Sequence, residues 1–387
     1  MIRESKPLRL VSLFSGIGGF EQGLEKAGFS TTLMCESDPV ARAVLAHRFP
    51  EVEIAPDVTK LNSIPNCDIV TAGWPCQDIS LAGGMKGLRG DRSSLIGDVF
   101  RLIAESDHKP EYVLLENVAF ALDLHKGESV RFVTTQLEQL GYRWAYRILD
   151  TRYFGLPQRR RRLFVLASLH DKPEAILLDG IQGEARSNSP EPKMVGFYWT
   201  EGNRGLGWSP EAIPPLKGGS GLSIPSPPAI WDRHTSSFVS PGIKDAERLQ
   251  GFERDWTEAA DAFPKGTRKR WLLVGNAVSV PVAQWIGQRI IGARTGVDDW
   301  KTVPHSDRLP KAAYGGPNAP VTELSVTSEG PAHPDIANLS DFELSDFYPV
   351  SKRAIAGFTG RFEVAPLRKN QEFLQDLRRY LSLPKAA

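Results

Sequence analysis

The sequence predicts an α/β protein, a doubly wound parallel sheet joined to a smaller, loop-rich domain. Three observations carry this. From residue 9 to residue 168, short apolar runs alternate with helical patterns. The first run ends in a glycine turn, Ser15-Gly16-Ile17-Gly18-Gly19. Between Gly180 and Gly242 there are 10 Gly and 9 Pro, with Trp199, Trp208 and Trp231 among them. That texture suits loops and short strands, not long helices.

Taken in order, Arg9 to Phe14 reads as a strand, Phe20 to Ala27 as a helix, Thr31 to Cys35 as a strand and Pro39 to Phe49 as a helix. Asp68 to Ala72, Tyr112 to Leu115 and Leu163 to Ala167 are further strands, with helices at Ser94 to Ser106 and Ser129 to Leu140. Regular patterning returns at Asp245 to Leu249 and strongly at Trp271 to Ile291. Residues 293 to 340 carry six prolines and read as a linker or irregular extension. A helix closes the chain at Leu367 to Leu383, with Leu374, Leu377 and Leu381 on one face. The domains implied are 1–168 plus 271–292, then 169–270, then a C-terminal extension over 293–387.

The 387 residues are 41% hydrophobic and 24% charged, the balance of an ordinary soluble globular protein. No apolar run approaches the roughly 20 residues of a membrane span. The start, with a charge of each sign, is not a secretory signal. Cys35, Cys67 and Cys76 form no CxxC pair and no metal-ligand spacing, so no metal is expected, and an odd count of thiols fits a reducing cytoplasm. The net charge of +1 argues only weakly against nucleic acid, because basic runs exist at Arg159–Arg162 and Lys265–Arg270. Such runs alone are ordinarily solvated surface.

The glycine turn lets backbone approach a ligand at the positive end of a helix. Glu36 closes the second strand where a carboxylate accepts bonds from ribose hydroxyls, and Asp57 follows a third segment. This is a generic nucleotide-type site. A dinucleotide turn places glycine where Glu21 stands, and a carboxylate sits badly beside a pyrophosphate, which favours a phosphate-free ligand.

Asp68-Ile69-Val70-Thr71-Ala72-Gly73 leads into Trp74-Pro75-Cys76-Gln77, and Tyr112-Val113-Leu114-Leu115 into Glu116-Asn117-Val118. The carboxyl ends of parallel strands lie on one edge, so Cys76 and Glu116 are expected to meet there. A thiol and a carboxyl group in one pocket suggest covalent catalysis. A thiolate adding to carbon 6 of cytosine makes carbon 5 nucleophilic, and an acid at ring nitrogen 3 eases that addition. Loss of the carbon 5 proton and elimination of the thiolate then restore the ring. Taken singly, a cysteine is usually buried and inert, and a glutamate is usually surface. Gln158-Arg159-Arg160-Arg161-Arg162 enters another strand, where Gln158, Arg160 and Arg162 share a face and their guanidinium groups suit a base oxygen.

With these elements in order, the chain closely resembles the DNA (cytosine-5)-methyltransferases of the bacterial modification type. Arg248-Leu249-Gln250-Gly251-Phe252 and Gly275-Asn276-Ala277-Val278 to Pro281-Val282 look like that family's last two motifs, and the match spans residues 9 to 291. The resemblance implies a Rossmann-like sheet that binds S-adenosylmethionine, with no metal, and a target-recognition domain over 169–270. It implies Cys76 as nucleophile and Glu116 at nitrogen 3, with Arg160 and Arg162 completing the cytosine pocket. Phe14, Gly16, Ile17, Gly18, Gly19, Glu36, Asp57, Pro75, Leu95, Asn276 and Val278 would surround the methyl donor. Gln77, Ser80, Arg159, Arg161, Lys217, Gly218, Gly219 and Arg248 would face DNA. Residues 77 to 95, with Gly83, Gly84 and Gly87, look like the loop that closes over a flipped base. Ser37 departs from the aromatic residue that often follows the ribose-binding Glu, so another group must pack on adenine.

The implied partner is double-stranded DNA, acted on by a monomer in the cytoplasm, with a separately encoded restriction endonuclease or none. RNA cytosine-5-methyltransferases share the chemistry, but the tRNA-methylating branch shows Cys-Phe-Thr. Here Cys35, Cys67 and Cys76 precede Glu36, Asp68 and Gln77. A DNA-binding protein that had lost catalysis would show damage at the nucleophile, the acid or the turn, and none is seen. A dehydrogenase leaves Pro75-Cys76-Gln77 and Gln158-x-Arg160-x-Arg162 unexplained.

Overall fold

The computed structural model describes residues 6–74, 95–178, 191–201, 205–218, 227–292, 302, 308–324 and 336–383. The chain divides into two compact units, the first formed by Met1–Asp150, Arg161–Ala185 and Ala277–Ala332, the second by Thr151–Arg160, Arg186–Asn276 and His333–Ala387.

In the first unit the chain runs β1 (Leu8–Leu13), α1 (Gly19–Lys26), β2 (Phe29–Cys35), α2 (Pro39–Arg48), β3 (Glu53–Ala55), β4 (Ile69–Gly73), α3 (Leu95–Ala104), β5 (Tyr112–Val118), α4 (Glu128–Gln139), β6 (Arg143–Asp150), β7 (Arg161–Ser168) and α5 (Pro173–Leu177). The second unit holds β8 (Met194–Phe197), β9 (Ser209–Pro210), β10 (Ala229–Asp232), β11 (Ser237–Pro241), α6 (Ile243–Leu249) and α7 (Gly266–Asn276). The chain then returns to the first unit with α8 (Val280–Ile291), β12 (Ala312–Gly316) and β13 (Ala319–Leu324), and ends in the second with β14 (Phe347–Pro349), α9 (Lys352–Val364) and α10 (Gln371–Ser382).

The first sheet is ordered β13-β12-β6-β7-β5-β4-β1-β2-β3. From β3 to β5 every pairing is parallel. The wholly parallel sheet expected from the sequence is corrected here: β7 is antiparallel to both β5 and β6, so the sheet is mixed. Strand β6, absent from the sequence reading, carries Arg143, Arg147 and Asp150 yet is buried on both faces from Trp144 on. It therefore shows neither an apolar run nor alternation.

A second correction concerns residues 293–340, read as irregular. Strands β12 and β13 form a hairpin there that extends the sheet through β6. The signal lay in the turn: Pro317 is followed by Asn318 at φ 60, the left-handed position that a Pro-Asn turn demands.

The switch in strand order falls between β1 and β4, whose carboxyl ends are level, with Leu13 opposite Ala72. Buried side chains such as Val11, Val70, Phe100, Val113, Leu137 and Val165 fill one face. Helix α1 packs on α8 at glycine contacts: a Cβ on Gly23 would meet the Val280 carbonyl oxygen at 2.5 Å and the Ala283 Cβ at 2.6 Å.

In the second unit the sheet is ordered β14-β11-β10-β8-β9, its strands short as the Gly/Pro content dictates. Phe197, Trp231 and Phe238 from the sheet pack with Phe358, Phe362, Phe373 and Leu377 from α9 and α10. The end of the chain is thus core, not appendage.

Candidate active site

Beyond β1 the backbone turns through Phe14 at φ 57, Gly16 at φ 58 and Gly18 at φ 90. A positive φ at a phenylalanine is a backbone outlier of the kind that gathers at functional sites. The turn is tied to β2, since the Ser15 N–H donates to the Cys35 carbonyl at 3.0 Å. The Gly16 N–H donates to Glu36 Oε2 and the Asp38 N–H to Oε1, both at 2.8 Å. Burial pushes the Glu36 carboxyl up and these N–H bonds draw it back, which leaves an oriented acceptor at the turn. Among the described residues a Cβ on Gly16 would meet nothing within 4 Å, so these leave space beside the turn. A Cβ on Gly19 would stand 2.4 Å from the Val278 carbonyl oxygen, so this glycine is required by the chain entering α8.

Asp57 accepts from the Thr59 hydroxyl at 2.7 Å and the Thr59 N–H at 3.0 Å, and these bonds hold its carboxyl below the usual range. Ile17 is buried, and Leu95, partly buried, opens α3.

On the same edge Glu116 lies opposite Gly73 in the β4–β5 register. A Cβ on Gly73 would sit 3.8 Å from Glu116 Oε2 and 4.0 Å from the Phe14 carbonyl oxygen, so the carboxyl group and the turn are close neighbours. Arg162, paired with Val118 across β5 and β7, brings Nε to 3.0 Å from Glu116 Oε1. Glu116 and Arg162 therefore come together at this edge. Burial pushes the Cys35 and Cys67 thiols up to about 12, which keeps both protonated and unreactive near neutral pH. Pro75, Cys76, Gln77 and Ser80, with the glycine loop up to residue 94, lie outside the described residues, as does Gly219.

Burial alternates along 158–162 as a strand requires, although β7 proper begins at Arg161. Arg161 reaches Asp150 at 3.5 Å, and Arg159 is half-buried. Within the second unit Gln158 and Arg160 are braces. Gln158 Nε2 donates to the Leu249 carbonyl at 2.9 Å and to Gln250 Oε1 at 2.7 Å, while its Oε1 accepts from the Leu216 N–H at 2.9 Å. Arg160 Nη1 donates to the carbonyls of Leu216 at 3.1 Å and Gly275 at 3.0 Å. Gly275 in turn has the Gly218 nitrogen 2.3 Å from where a Cβ would stand. Lys217 lies over the Tyr198 ring and 2.6 Å from Glu201. Arg248 binds Asp245 Oδ1 at 2.8 Å and the Glu343 carbonyl at 2.6 Å, and stacks on Phe342. Asn276 is exposed at the end of α7.

The model of one family, C-5 cytosine-specific DNA methylase, matches residues 8–203. A Bacillus subtilis protein, Type II methyltransferase M2.BsuMI, is 41% identical over 96% of this chain and 98% of its own. This chain belongs to the C-5 cytosine-specific DNA methylases.

Further relatives include Type II methyltransferase M.DsaV of Dactylococcopsis salina, 27% identical over 74% of this chain and 87% of its own. Type II methyltransferase M.HhaI of Haemophilus parahaemolyticus is 33% identical over 42% and 50%. The crystal structure of S. pombe Dnmt2 methyltransferase shares the fold, with a TM-score of 0.51, 17% identity and coverage of 72% of this chain and 96% of that one. In this methylase the Glu116–Arg162 pair and the glycine turn share one sheet edge.

Sequence reasoning missed the closeness of Gly73 to Glu116, where a Cβ would make an ordinary contact with the carboxyl group at 3.8 Å. Its signal was its place at the end of β4, level with Glu116. It also missed that Gln158 and Arg160 bind backbone of residues 216, 249 and 275, since a side chain's partner far along the chain leaves no local trace. Among the described residues no group of three or more His, Cys, Asp or Glu is placed to hold a metal, and no helix is long and apolar enough to cross a membrane.

Proposed function

We propose that this enzyme methylates carbon 5 of a cytosine flipped out of duplex DNA at a fixed sequence, with S-adenosylmethionine as donor. The observation that carries the reading is Glu116, clamped by Arg162 at 3.0 Å and set beside the turn at Phe14. The turn fits the donor: space beside Gly16 among the described residues, a half-buried carboxylate at Glu36 with lone pairs left for ribose hydroxyls, and Asp57 on the adjoining segment. When bound, the donor supplies an electrophilic methyl group on sulfonium. Glu116 then holds a proton at cytosine nitrogen 3, and Arg162 orients Glu116 and the base oxygen. Cys76 adds to carbon 6, the remaining cysteines being protonated. Arg160 fixes the backbone at Leu216 and Gly275 within the second unit, and the first unit is catalytic while the second reads the target.

Acting as a monomer on the nucleoid in the cytoplasm, the enzyme protects host DNA beside a separate endonuclease or works without one. The test uses tritiated S-adenosylmethionine with mixed-sequence duplex DNA and with a tRNA pool, for the unaltered protein and Cys76→Ser, followed by bisulfite sequencing. Label in DNA at one cytosine context, abolished in Cys76→Ser, is expected. Label in tRNA alone moves the substrate to RNA, and DNA label that survives Cys76→Ser removes the covalent step.

A further inference from the structure

The segment between β5 and α4, residues 119–127, leaves the sheet at the edge where Glu116 and Arg162 pair. Its Phe120 is 61% exposed. A lone exposed ring is ordinary on a protein surface. This one differs in its place, two residues beyond the strand end that faces Arg162, and in its company. His125 and Lys126, both exposed, stand in the left-handed region at φ 47 and φ 57. Two consecutive residues of this kind, neither of them glycine, form a strained backbone that persists only where its surroundings hold it.

The surroundings do hold it. Arg308 Nη2 reaches Asp123 Oδ1 at 2.7 Å. Gly127, at φ 74, lies so close to Leu309 that a Cβ there would stand 2.3 Å from Leu309 Cδ1. Asp123 is thereby neutralised, whereas among the described residues Lys126 has no ion-pair partner. Glu128, the next carboxylate along the chain, sits in the first turn of α4, where the helix dipole favours it. The result is a pinned, solvent-facing loop that offers an aromatic face, an imidazole and an unpaired ammonium beside the reacting edge. An apolar ring and an ammonium on one short loop suit a nucleic-acid strand, whose phosphates attract the ammonium and whose sugars and bases offer flat apolar surface.

We infer that loop 119–127 is a DNA contact, with Lys126 at a backbone phosphate and Phe120 against the sugar–base surface next to the extracted cytosine. The inference rests on the reading of Glu116 and Arg162 as the base-holding pair. Residues 308 and 309 are part of the device, since they fix the loop in its strained form before DNA arrives.

The test measures binding of a fluorescent duplex, carrying the cytosine context found by the methylation assay, across a salt series with S-adenosylhomocysteine present. Lys126→Ala is expected to lower the slope of log affinity against log salt by about 0.9, the share of a single neutralised phosphate. Phe120→Ala is expected to weaken binding about ten-fold with the slope kept. Lys172→Ala serves as a charge-removal control, at the end of the sheet where β7 finishes, and keeps both values. S-adenosylhomocysteine binding on the same preparations reports that each variant is folded. An unchanged slope in Lys126→Ala, or unchanged affinity in Phe120→Ala, overturns the inference. Failure of the unaltered protein to label DNA at all overturns the underlying reading of the site and the inference with it.

Discussion

Glu21 stands where a dinucleotide turn has glycine, and it is wholly buried in the first turn of α1. Among the described residues neither of its oxygens has a bonded partner of ordinary geometry. Burial pushes its carboxyl up to about 7, and its own N–H with the nearby Ser15 and Ser12 hydroxyls draws it only partly back. The folded chain therefore keeps this proton up to about pH 7, while the unfolded chain loses it near 4.5. Stability from this group is present below pH 4.5 and is lost as pH rises to 7. Glu21→Gln is expected to match the parent at pH 4 and to exceed it by about 3 kcal/mol above pH 7. Urea unfolding at both pH values checks this, and a difference independent of pH would refute it. Glu116→Gln is expected to lower turnover about 10²- to 10⁴-fold while donor affinity is kept, as loss of a positioned acid requires. Single-turnover methylation with a parallel donor titration measures both. Glu36 and Glu116 were legible in the sequence because strand ends are. The buried state of Glu21 was not, because the sequence shows it only as the residue that breaks a glycine pattern.

Among the elements, β1, β2, β4 and β5 of the parallel half were legible since each carries an apolar run bounded by a turn, whereas β3, three residues with a glutamate, was not. Strand β6 hid behind its charges, and the β12–β13 hairpin behind its prolines. Neither the α1–α8 contact nor its closeness could be read, because the two helices are far apart in sequence. Their approach depends on Gly19 and Gly23. An alanine in a helix interior is ordinarily favoured over glycine by about 1 kcal/mol. At Gly23 that gain is smaller than the strain of a Cβ 2.5 Å from a backbone oxygen. Gly23→Ala is therefore expected to destabilise by about 1–3 kcal/mol. Gly360, in α9, has nothing within 4 Å of its Cβ position among the described residues, and Gly360→Ala is expected to stabilise by about 0.5–1 kcal/mol. The same substitution with opposite signs separates packing from propensity, and equal shifts in the two urea midpoints would refute the argument.

For the molecule as a whole, the sequence left residues 293–387 without a role, with packing as the plainest possibility. The terminal helix was legible from its leucine face, but what that face covers was not. It covers the sheet of the second unit. Phe373 is fully buried, with its ring centroid 5.1 Å from those of Phe197, Trp208 and Trp231. Polar bonds seal the same seam: Trp231 Nε1 donates to Asp376 Oδ2 at 2.9 Å, and Arg233 holds Glu372 through Nε at 3.0 Å and Nη2 at 2.7 Å. Buried Asp245 accepts the N–H groups of Ser345 and Asp346, both at 2.7 Å, which fastens the segment before β14 to α6. A sheet with this much aromatic surface cannot stand in water without its helices. Phe373→Ala is expected to cost about 3–5 kcal/mol, the usual loss for a buried aromatic. Unfolding followed by tryptophan fluorescence, with Trp208 and Trp231 beside the lesion, reads that loss directly. A chain ending before Ile336 is expected to lose the cooperative tryptophan transition of the second unit and to bind a hydrophobic dye. Were that shortened chain to keep the transition, the C-terminal helices would be an addition to a unit that folds without them.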